Sequence, residues 1–458
     1  MSLNQVYRHS HQCLAKVTAP ILGANLTSSR KMSSKIRMAD RLKGTEKNVW
    51  VEFGKLSAEY KAINLGQGFP DYHPPQHVLD IFAKLVQGDN PLVHQYTRSY
   101  GHPHLVNVLA KLYGPIMGRQ IDPMTEVTVS IGAFGILFSC MQGLVNPGDE
   151  VIIIEPFFDC YEPMVRVAGG KPVFVPLRPT KTEGEMTSHD WQLNTEEITK
   201  AFNKNTKAII LNNPNNPVGK VFRREELEVI AKLCIEHDVV CVADEVYEWM
   251  IYRGFEHIKI ATLPGMWDRT ITVGSAGKTF SATGWKLGWA VGPADLMQAL
   301  MVLHQNSIYT CPTPIQEAVA AGLEYELSVF GDEEKCYLKS LALQELAPKR
   351  DMLAKVLSEV GMTPTVPEGG YFMLADISKL NVEIPDDGTD DPYDFKFIRW
   401  LTKNKKLSCI PPTAFYNKEH KHLGEKFIRF CFIKEDSTLE AAGKVLKEWK
   451  AELDSKSS

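Results

Sequence analysis

The chain has 458 residues, 44% of them hydrophobic and 23% charged, with 51 basic and 55 acidic side chains and a net charge of −4. That composition supports a large globular core in two or three domains and excludes collagen, coiled-coil, disulfide-scaffold and disordered classes. There is no basic excess of the kind nucleic-acid binders carry, and no apolar run reaches the roughly 18 residues a membrane-spanning helix needs.

Residues 1–39 contain no Asp or Glu but carry Arg8, Lys16, Arg30, Lys31, Lys35 and Arg37 among frequent Ser and Thr, with Leu14, Val17, Ile21 and Leu22. This is the composition of a mitochondrial presequence, and mitochondrial location, with a cytoplasmic form alongside it, is the expectation. The alternatives are an uncleaved disordered tail, or an extension bypassed by starting at Met32 or Met38. The segment is set apart from the fold.

From Trp50 onward, strand and helix signals alternate. Glu126–Ser130, Glu150–Glu155, Pro172–Pro176, Lys207–Asn212, Val239–Asp244 and Thr270–Ser275 are short β-rich runs. Their near-continuous apolar character is that of strands buried on both faces. Amphipathic stretches such as Phe134–Leu144 and Arg224–Glu236 lie between them. The alternation predicts an α/β fold with a mainly parallel sheet and helices on both faces. After about Leu341 a long helix, short strands at Tyr371–Asp376 and Phe427–Phe432 and a charged final helix predict a smaller α+β domain. The acidic stretch Pro385–Pro392 reads as an exposed loop within it.

The nine cysteines are scattered, several in apolar runs, and no Cys-x-x-Cys occurs; reduced, buried thiols of an intracellular protein are expected. The pairs His102/His104 and His420/His422 sit among polar and turn residues with no third ligand suggested, so no metal is expected.

In an open α/β sheet, ligands sit beyond the carboxyl ends of the strands. Asn212, Asp244 and Ser275 close three successive strand runs, which predicts one shared site. Lys278 follows the third of these strands; a lysine there can form a Schiff base with an aldehyde cofactor, or be an ordinary surface lysine. Asp244 at a strand end can hold a pyridine nitrogen protonated, with Tyr247 in reach of the same ring, or can simply cap a helix. The string Asn212-Asn213-Pro214-Asn215-Asn216-Pro217 is either a hydrogen-bonding loop or a plain surface turn. Arg429 is a charge inside an apolar strand and must meet a carboxylate, internal or brought by a ligand.

NNPNNPVG at 212–219, DEVY at 244–247 and SAGKTF at 275–280, in this order, resemble the fold-type I pyridoxal-phosphate aminotransferases over essentially the whole chain from Trp50. NLGQGFPD at 64–71, EPFFDCYEP at 155–163 and SAGKTFSATGWKLGW at 275–289 are similar to the kynurenine aminotransferase / glutamine transaminase K subgroup. The resemblance implies an N-terminal arm and part of the small domain at 40–75, a large cofactor domain at 76–335 and the rest of the small domain at 336–458. It implies that Lys278 holds pyridoxal 5′-phosphate and then moves a substrate proton, and that Asp244 pairs with the pyridine nitrogen. Tyr247 and Asn216 would bond the ring hydroxyl oxygen, with Asn212 nearby and Phe158 stacked on the ring.

For the phosphate, Gly132-Ala133-Phe134 joins a strand to a helix, so the N–H groups of Ala133 and Phe134 would point at an anion. Ser275 and Lys286 would add side-chain donors, and Tyr96 would reach in from the partner subunit of a homodimer. Arg429 would take the substrate α-carboxylate with help from the Gly68 backbone. Trp50, Tyr72, Tyr309 and Phe372 are candidates for an aromatic wall or equally for core. Amino-acid and 2-oxo-acid substrates follow, with β-elimination from cysteine S-conjugates as a side activity. Tyr309-Thr310 stands where the better-known subgroup member has Phe-His, which leaves substrate preference and pH dependence open. The rivals are a lyase or synthase on the same fold, a non-catalytic homologue, and a nicotinamide dehydrogenase; the last lacks its Gly-x-Gly-x-x-Gly turn.

Overall fold

The computed structural model describes residues 37–46, 48–181, 184–380 and 382–457. The presequence reading therefore falls almost wholly outside the described residues.

The strands are β1 (Ile63–Asn64), β2 (Val127–Ile131), β3 (Glu150–Glu155), β4 (Lys171–Pro179), β5 (Met186–Thr187), β6 (Trp191–Leu193), β7 (Thr206–Asn212), β8 (Val240–Asp244), β9 (Thr270–Ser275), β10 (Leu287–Val291), β11 (Thr363–Val366), β12 (Phe372–Asp376), β13 (Leu407–Ser408) and β14 (Phe427–Cys431). Eight of them form one sheet in the order β2-β10-β9-β8-β7-β3-β4-β6. Its centre, β4-β3-β7-β8-β9, is parallel throughout. Alternate residues explain the unbroken apolar runs. Ile152, Ile209 and Cys241 pack on one face with Leu227 and Ile230 of helix Arg224–Glu236. Val151, Ile210 and Val242 pack on the other with Ile136 and Met141 of helix Gly132–Leu144. Each strand is thus covered on both sides, as parallel sheets require.

The sequence reading missed β10, which runs antiparallel between β2 and β9. Gly288 breaks its β-signal, yet the glycine is needed: a Cβ there would lie 2.3 Å from the backbone nitrogen of Ala133.

A second sheet has the order β14-β12-β11-β5, and β1 pairs with β13. Phe53 and Leu65 share a core with Leu353, Phe397, Phe430 and Leu446, so the early segment packs with the C-terminal one. Met186–Thr187, from the middle of the chain, pairs with β11, a crossing that linear division of the sequence does not anticipate. Helix Val49–Tyr60 begins at Asn48, whose side chain accepts from the N–H groups of Trp50 and Val51. That cap places Trp50 in the first turn.

The described cysteines are buried and free. His102 and His104 pair with Glu317, and His420 with Glu155. No described helix is long and apolar enough to cross a membrane.

Candidate active site

The three polar strand ends meet. Asn212 and Asp244 are register partners on β7 and β8, and Ser275 closes the neighbouring β9. Asn212 locks the arrangement: its Oδ1 accepts from the Asn216 N–H at 2.7 Å and its Nδ2 donates to the Asp244 carbonyl at 2.9 Å. Asn213 accepts from the Phe222 N–H and Asn215 from the Val218 N–H, both at 3.1 Å. All four asparagines are buried, so this is a structural hydrogen-bonding loop and not a surface turn.

No helix follows Asp244, which removes the capping alternative. One carboxylate oxygen accepts from the Tyr161 hydroxyl at 2.5 Å; the other is buried with no hydrogen-bond partner. Burial pushes the carboxyl up to about 6. A buried carboxylate oxygen left without a donor is costly, and a pyridine N–H would satisfy it.

Lys278 sits in a one-turn helix, Ala276–Thr279, directly after β9. Its amine donates to the Tyr371 hydroxyl and, at 3.3 Å, to the Gly68 carbonyl, and lies 5.6 Å from the centre of the Tyr247 ring. Burial brings the amine down to about 8, with the charges of Arg429 and Lys286 acting in the same direction.

Gly132, at φ +69°, turns β2 into the 13-residue helix Gly132–Leu144, whose first N–H groups belong to this turn. A Cβ on Gly132 would lie 3.4 Å from the Lys286 amine, so the amine stands over the helix start. Helix dipole, free N–H groups, Ser275 and Lys286 together suit a dianion.

Arg429 on β14 is fully buried. It donates to Asn216 Oδ1 at 3.0 Å and to the Gly66 carbonyl at 2.6 Å, while its Nε has no partner. Its guanidinium carbon lies 3.9 Å from the Phe372 ring centre and 5.0 Å from that of Trp50. Burial lowers it to about 10. Among the described residues no carboxylate forms an ion pair with it, so the alternative of an internal Asp or Glu partner is not met. Asp159 is held instead by the Trp50 indole N–H at 2.8 Å.

One cavity of about 380 Å³ is lined by Trp50, Gly68, Ala133, Phe134, Phe158, Asn212, Asn216, Asp244, Tyr247, Ser275, Lys278, Lys286, Phe372 and Arg429. Three aromatic candidates are elsewhere. Tyr72 packs against the small-domain core beneath the Lys349 amine. Tyr96 is 82% exposed and Tyr309 53% exposed, their rings edge-on at 5.6 Å on the surface. Sequence reasoning assigned no role to Tyr161 or Tyr371. Tyr161 stands three residues past Phe158 in the EPFFDCYEP string, which was the available signal; nothing in the sequence marks Tyr371.

Residues 60–445 match the family model for aminotransferase class I and II. The chain belongs to this family. It is 52% identical over 98% of its length to kynurenine--oxoglutarate transaminase 3 of Rattus norvegicus, covering 99% of that protein. It is 49% identical to kynurenine--oxoglutarate transaminase 1 of Homo sapiens, over 91% of this chain and 99% of that one. Among solved structures it matches Bna3p of Saccharomyces cerevisiae with a TM-score of 0.84 and 38% identity, over 91% of this chain and 99% of the other.

The chain is therefore a pyridoxal-phosphate-dependent aminotransferase with the expected α/β fold. The residues present fit the cofactor. Lys278 has an amine of lowered basicity for the aldehyde, the orphaned oxygen of Asp244 suits the ring nitrogen, and Phe158 offers a ring face. The N–H groups of Ala133 and Phe134, with Ser275 and Lys286, suit the phosphate.

Proposed function

We propose that this aminotransferase moves the amino group of a bulky neutral or aromatic L-amino acid, of the kynurenine, glutamine and methionine class, to a 2-oxo acid. The observation that carries this is Arg429: a buried, carboxylate-free guanidinium in a cavity walled by Trp50, Phe158 and Phe372. A planar fork suits the α-carboxylate, and no second arginine lines the cavity to clamp a distal one. The names of the relatives, kynurenine--oxoglutarate transaminases 3 and 1, support kynurenine within this class.

When bound, pyridoxal phosphate supplies an aldehyde for the amino group and a ring that accepts the electron pair left when the substrate Cα–H bond breaks. Lys278 carries the cofactor at rest and then shuttles the α-proton. Asp244, with one buried oxygen lacking a partner, would keep the ring nitrogen protonated, and Tyr247 and Asn216, which line the same cavity, would hold the ring hydroxyl. Arg429 docks the carboxylate so that the α-carbon meets Lys278. In a donor panel with a fixed 2-oxo acid, glutamine, methionine or kynurenine should exceed aspartate in kcat/KM by at least about tenfold. Aspartate as the best donor would refute the assignment.

The same site also eliminates thiols from cysteine S-conjugates. Once Lys278 has taken the α-proton, the electron pair closes a Cα–Cβ double bond as the thiolate leaves with the C–S pair. Water then releases pyruvate and ammonium, and the thiolate takes up a proton. No further residue is required; the substrate's leaving group sets the branch.

The enzyme works as a homodimer in which Tyr96 serves the neighbour's phosphate site. Support comes from its exposure, with its ring edge-on to that of Tyr309 on the surface, apart from its own cavity. Mixing Tyr96→Phe subunits with Lys278→Ala subunits should rebuild one wild-type site per mixed dimer. No recovery of activity on mixing would mean that Tyr96 acts within its own chain or not at all.

A further inference from the structure

Among the described residues, Tyr371 is the one whose side chain hydrogen-bonds the Lys278 amine, and it belongs to neither the cofactor cradle nor the carboxylate dock. Its hydroxyl accepts from the lysine and donates to the Gly68 carbonyl at 2.9 Å, and that same carbonyl is the second acceptor for the amine. The three groups close a small triangle. Its members cannot drift. Tyr371 is 1% exposed, with its ring 5.2 Å from Tyr247 in edge-on contact and 4.7 Å from Phe372. Its backbone carbonyl accepts from the Phe432 N–H at 3.1 Å, which ties it to the end of β14. Gly68 can lie this close because it has no side chain: a Cβ would be 2.5 Å from Phe372 Cζ.

We propose that Tyr371 is a catalytic residue whose hydroxyl, together with the Gly68 carbonyl, holds and aims the Lys278 amine whenever that amine is free of the cofactor. This rests on the role proposed above for Lys278. The bookkeeping is simple. The substrate α-proton would move to Nζ, the ammonium so formed would donate to Tyr371 Oη and Gly68 O, and the same nitrogen would then give that proton to the carbon that had been the cofactor's aldehyde carbon, restoring the neutral amine. Tyr371 keeps its own proton on the Gly68 carbonyl throughout. Burial raises its hydroxyl well above the ordinary tyrosine range, so it serves as an acceptor and not as a base.

The test uses holoenzyme given an amino donor and no 2-oxo acid, which leaves Lys278 free. Reductive methylation of Lys278, followed by mass spectrometry across pH, should show a titration in the wild type below the ordinary lysine range, as burial requires. Tyr371→Phe removes an acceptor that favours the charged amine, so its midpoint should fall by about one pH unit. In steady state, kcat should drop by about 10- to 100-fold with KM little changed, and the isotope effect of an α-deuterated donor should increase. Placing 3-fluorotyrosine at 371, a weaker acceptor in an unchanged packing, should give intermediate values. A midpoint and an isotope effect both equal to wild type in Tyr371→Phe would overturn the proposal, as would a loss confined to KM and thermal stability. Failure of the Lys278 role is read separately, by borohydride reduction of wild-type holoenzyme: a label on any other lysine removes the premise.

Discussion

Lys278→Ala should abolish transamination and β-elimination together, by at least about 10⁴-fold in kcat for each. Both reactions begin with removal of the same α-proton, and Lys278 is the cavity's amine of lowered basicity. The other cations lining the cavity have different partners: Lys286 stands over the helix start beside Gly132, and Arg429 is bonded to Asn216 and Gly66. The fold should tolerate the change, because the substitution removes a poorly solvated amine from a cavity wall and leaves no unpaired charge. Thermal unfolding and both activities should be measured on the same preparation. Elimination that survived while transamination was lost would show that the two do not share the proton transfer.

Asp244→Asn should lower kcat by about 10³-fold with the site otherwise intact. The asparagine oxygen can still accept from Tyr161, so packing at the end of β8 is preserved. What changes is the group proposed to face the pyridine nitrogen: an acceptor becomes an amide donor, and a protonated ring would no longer be favoured. The absorption spectrum should change along with the rate, while Arg429-dependent substrate docking, read as KM, should stay close to wild type. Activity within tenfold of wild type would mean that Asp244 does not hold a protonated ring nitrogen.

Residues whose role follows from local pattern were legible in the sequence. The six strand runs were readable because burial on both faces leaves an apolar string with no alternation, and Asn212, Asp244 and Ser275 stood out because polar groups end such strings. Lys278 could be singled out by its place just after one of them. β10 was missed because its glycine, required where the strand meets the start of helix Gly132–Leu144, weakens the β-signal. Tyr161 and Tyr371 were missed for a different reason. Each becomes functional only where distant elements meet: Tyr161 across to β8, and Tyr371 from the small sheet to Lys278 and Gly68. Arg429 shows the limit most clearly. Its buried charge announced the need for partners, but only the fold shows that among the described residues a side-chain amide and a backbone carbonyl are in hydrogen-bond reach and Nε is left without a partner. Tyr96 and Tyr309 lie away from their own cavity, so the part proposed for Tyr96 requires a second subunit.

Every role proposed for the cavity depends on Lys278 carrying the cofactor. Holoenzyme reduced with borohydride, digested and mapped by mass spectrometry should lose its yellow colour and carry the pyridoxyl label on Lys278. A label on another lysine, or a protein that stays colourless after incubation with pyridoxal phosphate, would contradict it.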